Sequence, residues 1–269
     1  MKPVDPSRSA LVVAHPGHEL RVHAWLADAR PSVFVLTDGS GHTSGPRLAS
    51  TTRVLRAAGA RPGGVYGRFT DAALYAALLG RDEDVFLRLA EELAGAFVRC
   101  GVEEVVGDAR EGYNPAHDVC RVVLDAAAAL AGAESARPLR VYEFPLMGRP
   151  DNCPEGLRHR ALWLRLDESE VARKLAAARG YPELAEEVNA ALAASGEDAF
   201  RFECLRPVNR WDGEWFAGAE PPFYERHGER RVHEGHYRQV VRCRDHVAPL
   251  AERLWRFTEG ARRAGFVPA

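Results

Sequence analysis

Residues 10–14, ALVVA, are a continuous apolar run that ends at His15-Pro16-Gly17. A run of five with no polar alternation reads as a strand covered on both faces, the habit of a parallel sheet. Residues 19–29 then read as a helix. The succession repeats: a strand at 32–36 closed by Thr37-Asp38-Gly39, a helix at 47–58 ended by Gly59, and a short strand at Val65-Tyr66. A helix at 83–100 carries Val85, Leu87, Leu89, Leu93 and Phe97. A strand at 102–106, a helix at 116–130 and a strand at 139–144 follow.

Strand alternating with helix predicts an α/β fold, a doubly wound, Rossmann-like, mostly parallel sheet with helices on both faces. Such sheets bind ligands beyond the carboxyl ends of their strands. The later sequence is less regular. Helices are expected at 168–179 and 182–194, a strand at 199–205, an aromatic-rich loop at 209–231 and one long helix at 234–261, with Pro249 a point of interruption. The expected parse is one α/β domain over 1–205, with 206–269 as a C-terminal extension packed on it.

The chain of 269 residues has a formal net charge of -2, with acids and bases interspersed. That argues against a nucleic-acid partner, which would call for a basic face. No apolar run is long enough to span a bilayer, and MKPVDPSRSA lacks an apolar signal core, so no membrane partner is expected. Five cysteines without a CxxC pair suit a reducing compartment, and the cytoplasm is the expected location. The aromatic group Trp211, Trp215, Phe216, Phe223 and Tyr224 suits burial, a homo-oligomer interface or stacking on sugar rings. Asp38-Gly39-Ser40-Gly41 lacks the surroundings of a nucleotide loop.

The chemistry-bearing residues fall on the expected rim. His15 follows the first strand, His18 stands three residues on, and His117 opens the helix after the 102–106 strand. Imidazoles three apart across a helix start can share a metal, and zinc favours nitrogen donors in a tetrahedral site. A third histidine from another strand end leaves a fourth position open, as catalysis requires. The pair alone reads rather as a histidine capping the helix start or packing under the turn. His42 lies in a Gly/Ser loop near the same rim and is a candidate substrate contact. His233 and His236 form a second HxxH pair, with His227 and His246 near, and read as polar helix faces.

SALVVAHPGHE resembles the opening of the PIG-L/LmbE-like metal-dependent N-deacetylase superfamily, whose members carry Ala-His-Pro-Asp-Asp-Glu after a strand. GYNPAHD at 112–118 resembles a divergent form of its later His-Pro-Asp-His motif. VLTDGSG resembles the family's second strand and turn, RLASTTRVLRAAGA its next helix, and YGRFTDAAL its substrate loop. The resemblance covers about the first half of the chain. It implies that His15, His18 and His117 hold zinc or another divalent metal. It implies that Glu19 supports the helix start, that Arg68 and Asp71 contact substrate, and that Asn114 does so where the family has a histidine.

It also implies the activity: a zinc-dependent hydrolase removing an N-acyl group, N-acetyl foremost, from a small-molecule amino sugar or sugar conjugate. Two departures bear on this. Gly17 stands where the family has its general base, and Asn114 and Ala116 replace a histidine and an aspartate. General acid–base groups contribute ~100–10,000-fold each. Three neutral imidazoles leave a metal its full charge, which brings water on it to a pKa near ~7 and lessens the need for a base. Asp38 and Asp118 are the candidate catalytic carboxylates, with Glu111 beside them. The alternative is a superfamily member that binds metal and a ligand or partner but has lost hydrolysis, or uses the metal for a different reaction.

Overall fold

The computed structural model describes residues 8–41, 45–208 and 220–264. Seven strands form one sheet in the order β3-β2-β1-β4-β5-β7-β6. They are β1 (Ser9–Val13), β2 (Ser32–Thr37), β3 (Arg61–Phe69), β4 (Glu104–Asp108), β5 (Arg140–Phe144), β6 (Leu162–Arg165) and β7 (Phe202–Pro207). β1 to β5 are parallel. β7 runs antiparallel to β5, and β6 antiparallel to β7. β1 lies between β2 and β4, so the winding reverses at β1 and β4, and a crevice opens beyond their carboxyl ends.

Every residue of β1 is buried. Ala10 and Val12 point into a core shared with α4 (Glu83–Arg99), α5 (Pro115–Glu134) and α9 (Ala248–Ala264). Leu11 and Val13 point to the opposite core, with Trp25 and Leu26 of α1 (His23–Ala29) and Val54 and Leu55 of α2 (Leu48–Ala58). The period of two thus distributes one strand between two helical layers.

Several elements differ from the sequence reading. The segment resembling a substrate loop is the end of β3 followed by α3 (Asp71–Leu79), whose N-cap Thr70 accepts from the Ala73 amide. β4 lies two residues later than expected, which places Asp108 at its carboxyl end. Helix 168–179 is found as α6 (Glu168–Arg179), closed by an Asp167/Glu170 capping box. The 182–194 helix divides into a 3-10 turn (Pro182–Leu184) and α7 (Ala185–Ser195).

The expected loop at 209–231 gives way to α8 (Phe223–His233), which starts after Pro222 and carries Arg230 and Arg231 in its last turn, cations suited to a helix C-terminus. Gly228 within it lets Val240 approach, because a Cβ there would meet the Val240 side chain at 2.9 Å. The expected long helix at 234–261 breaks at Gly235 (φ +77), and α9 begins only at Ala248. A π-helical turn at Cys243–Val247 runs directly into α9, so Pro249 lies within a continuous helical run and does not end it. Among the described residues no helix is long and apolar enough to cross a membrane.

Candidate metal centre

His15, His18 and His117 meet at the crevice where the winding reverses. Their ring centroids are 5.3 Å (His15–His18), 5.2 Å (His15–His117) and 4.7 Å (His18–His117) apart, each pair edge to face. Imidazoles bound to one tetrahedral zinc through nitrogens at ~2 Å would have centroids about 5 Å apart. The spacing of the rings therefore fits a shared metal. Among the described residues no three His, Cys, Asp or Glu side chains form, as they stand, a group that could hold a metal ion.

The backbone explains the meeting. His15 follows β1, and Gly17 takes φ +106, a left-handed turn open to glycine, before the 3-10 turn His18–Val22. Glu19, fully buried, accepts from the Gly17 amide at 2.7 Å and holds that turn. Burial raises the Glu19 pKa. His117 is in the first turn of α5, whose N-cap Asn114 accepts from the Ala116 amide at 2.8 Å, with Pro115 at the helix start.

Two tautomers follow from the hydrogen bonds. The Thr37 hydroxyl donates to the Ala14 carbonyl at 3.1 Å, so its oxygen accepts from His15 Nδ1 at 2.8 Å. Asp71 Oδ1 lies 3.0 Å from the same nitrogen. Asp108 Oδ2 accepts from His18 Nδ1 at 2.9 Å and from the Ala14 amide at 2.7 Å. With Nδ1–H engaged, each ring presents an Nε2 lone pair, the arrangement that orients metal-binding histidines. His15 Nε2 and His117 Nδ1 are buried without a partner in the protein. Burial, together with the neighbouring imidazoles, lowers the pKa of His15 and sends that of His117 well below its ordinary value. Both are neutral at pH 7, the state a metal requires.

The other sequence candidates are placed as follows. Burial pushes the Asp71 carboxyl up, but His15 and the Gly41 amide outweigh it and hold the group at about 2. Asp71 thus acts on His15, where the resemblance implied substrate. Arg68 pairs with Glu92 of α4 at 2.6 Å, on an exposed surface. Asp38 holds a turn, accepting from the Ser40 amide and hydroxyl at 3.0 and 2.6 Å. Asp118 accepts from the Glu111 and Gly112 amides at 3.3 and 3.2 Å, and burial raises it to about 6. Glu111 accepts from the Leu146 and Met147 amides, both at 3.0 Å. Asn114 also accepts from the Tyr75 hydroxyl at 3.0 Å. His42, Trp211, Trp215 and Phe216 lie outside the described residues.

Sequence reasoning missed Asp108, Thr37 and Tyr75. Asp108 had a signal: a carboxylate ending the buried run EVVGD, fully buried itself. Tyr75 and Asp71 are four apart on α3, so one helix face braces both His15 and Asn114.

No family model matches the chain, and no curated protein matches it. Solved structures do. The conserved protein TT1542 from Thermus thermophilus is similar at a TM-score of 0.50 and 18% identity, over 79% of this chain and 99% of that one. The zinc inhibited form of teicoplanin deacetylase Orf2 gives 0.49 and 16%, over 76% and 99%. The antimicrobial reagent A40926 pseudoaglycone deacetylase Dbv21 gives 0.46 and 22%, over 77% and 99%. At such identities what the chain shares with TT1542 is the α/β fold.

Proposed function

We propose that this protein is a zinc-dependent hydrolase that removes an N-acyl group, N-acetyl foremost, from an amino sugar or sugar conjugate. The observation that carries the reading is the meeting of three imidazoles at the crevice, two of them with their Nδ1 atoms already engaged. His15, His18 and His117 would hold the metal; Thr37, Asp71 and Asp108 would orient two of the rings. A divalent metal there supplies Lewis acidity toward the amide carbonyl and acidifies water. The substrate class rests on the motif resemblance. The five free cysteines suit the cytoplasmic setting that belongs to this proposal. Turnover of N-acetylated amino sugars that depends on zinc and disappears in His117→Ala would support the proposal. Turnover unchanged in that variant would refute it.

One observation favours the alternative, a protein that holds metal and ligand without hydrolysis. A side chain at position 17 would run into Leu184, with Tyr181 behind it. The place of the family's general base is therefore filled by the chain's own apolar residues. The carboxylates around the rings also have structural duties: Asp108 on His18, Asp71 on His15, Asp118 and Glu111 on loop amides. Metal binding at full occupancy with no turnover of a panel of N-acetyl sugars would select this second reading.

A further inference from the structure

We propose that Tyr113 and Phe223 form a stacking shelf beside the metal centre that takes an aromatic ring of the substrate. This deepens the hydrolase reading and rests on it for the centre's role. Tyr113 and Phe223 are 42% and 38% exposed, high values for large apolar side chains. They are not stray surface residues. Their rings lie parallel within 4°, centroids 5.0 Å apart, and His227 stacks behind Phe223 at 5.8 Å and 24°. Phe223 thus has two ring neighbours, and among the described residues Tyr113 stacks on Phe223 alone. A ring held flat by a stack behind it offers a planar, apolar face at low entropic cost.

The shelf is built into the histidine-bearing helix. Tyr113 immediately precedes Asn114, the N-cap of α5, and His117 lies in that helix's first turn. Asp118 grips the Glu111 and Gly112 amides, which fixes the loop carrying Tyr113. Gly112, at φ +62, lets Pro222 come so close that a Cβ would meet it at 3.0 Å, and the Tyr224 amide donates to the Gly112 carbonyl at 3.3 Å. The two aromatic residues are thus locked to one another and to the helix that supplies His117.

An arene is favoured over a sugar ring as the shelf's occupant. A bound sugar needs several free donors and acceptors around its edge. Asp118 Oδ1, Asn114 Oδ1 and Glu111 Oε2 already accept from backbone amides, and the Tyr75 hydroxyl donates to Asn114. The shelf itself is a ring already paired face to face with another ring within 4°, a geometry that a further flat ring extends, which suits an arene attached to the part of the substrate that carries the amide.

The test measures binding in the metal-free full chain, which separates the shelf from the reaction. The probes are the phenyl and methyl β-glycosides of N-acetylglucosamine, and acetanilide, followed by calorimetry. The phenyl glycoside should bind about tenfold more tightly than the methyl glycoside. The advantage should vanish in Tyr113→Ala and Phe223→Ala. It should persist in Tyr113→Phe and in Trp163→Ala, an equally exposed aromatic on the outermost strand β6. Equal binding of the two glycosides, or an advantage that survives Tyr113→Ala, overturns the proposal. If neither glycoside binds, acetanilide decides: binding lost in Tyr113→Ala sustains the shelf, and no binding overturns it. A phenyl glycoside that binds through Tyr113, with neither it nor a panel of N-acetyl sugars hydrolysed by the zinc-loaded protein, leaves the shelf standing and removes the hydrolase.

Discussion

Replacing Asp108 by alanine removes one oxygen that two donors share. The Ala14 amide, in a fully buried residue, donates to it at 2.7 Å, and His18 Nδ1 at 2.9 Å. A buried donor left unpaired costs about 1–3 kcal/mol. The Ala14 amide should incur that in full. The His18 side chain keeps 17% exposure, so water can replace part of its bond. The sum is about 2–4 kcal/mol, a fall in melting temperature of about 4–8 °C for a chain of this size. Loss of the partner that sets the His18 tautomer should also weaken zinc binding by about 10–100-fold. Asp108→Asn keeps an acceptor oxygen and should lose less than half as much stability. Thermal melts of the metal-free variants and competition for zinc with a chelator measure both effects. A melting temperature within about 1 °C of wild type, with zinc affinity unchanged, would show that Asp108 orients nothing.

Gly17→Ala should destabilise by about 1–3 kcal/mol, since the residue holds φ +106 and its Cβ would collide with Leu184. Leu184→Ala in the same chain should recover only the steric part, and full recovery in urea melts would show that the backbone is unstrained. Asn114→Ala should cost about 1 kcal/mol as a lost N-cap, and a loss well below that would mean that Tyr75 and water restore the cap. Burial raises the Glu111 pKa, so the fold favours its protonated form, and that stability is lost as pH rises through the folded value. Glu111→Gln keeps an acceptor for the Leu146 and Met147 amides. It should match wild type at about pH 4 and exceed it at neutral pH; the reverse order in urea melts would refute the burial argument.

The parallel sheet was legible because buried strands such as ALVVA and SVFVL carry no alternation and the helices between them do. The His15, His18 and His117 grouping was legible for the same reason, since strand ends of one parallel sheet share a rim. What the sequence hid was pairing across the rim. Nothing local in Thr37, Asp71 or Asp108 states which imidazole each will face, because those contacts span 22, 56 and 90 positions. The pairing of Arg68 was hidden because resemblance placed it in a loop, while β3 carries it to Glu92 on α4. α3 was missed although Thr70 and Gly80 bracket it, and α8 was hidden by its polar, glycine-containing sequence.

In the proposed function His15, His18 and His117 together hold one divalent metal. Metal content of the purified full chain, measured beside His15→Ala and His117→Ala after equal exposure to zinc, decides whether they do. About one zinc per chain in the parent, lost in both variants whose melts remain cooperative, is the expected result. No bound zinc in the parent, or a full equivalent retained in either variant, would mean that the three imidazoles serve the fold alone.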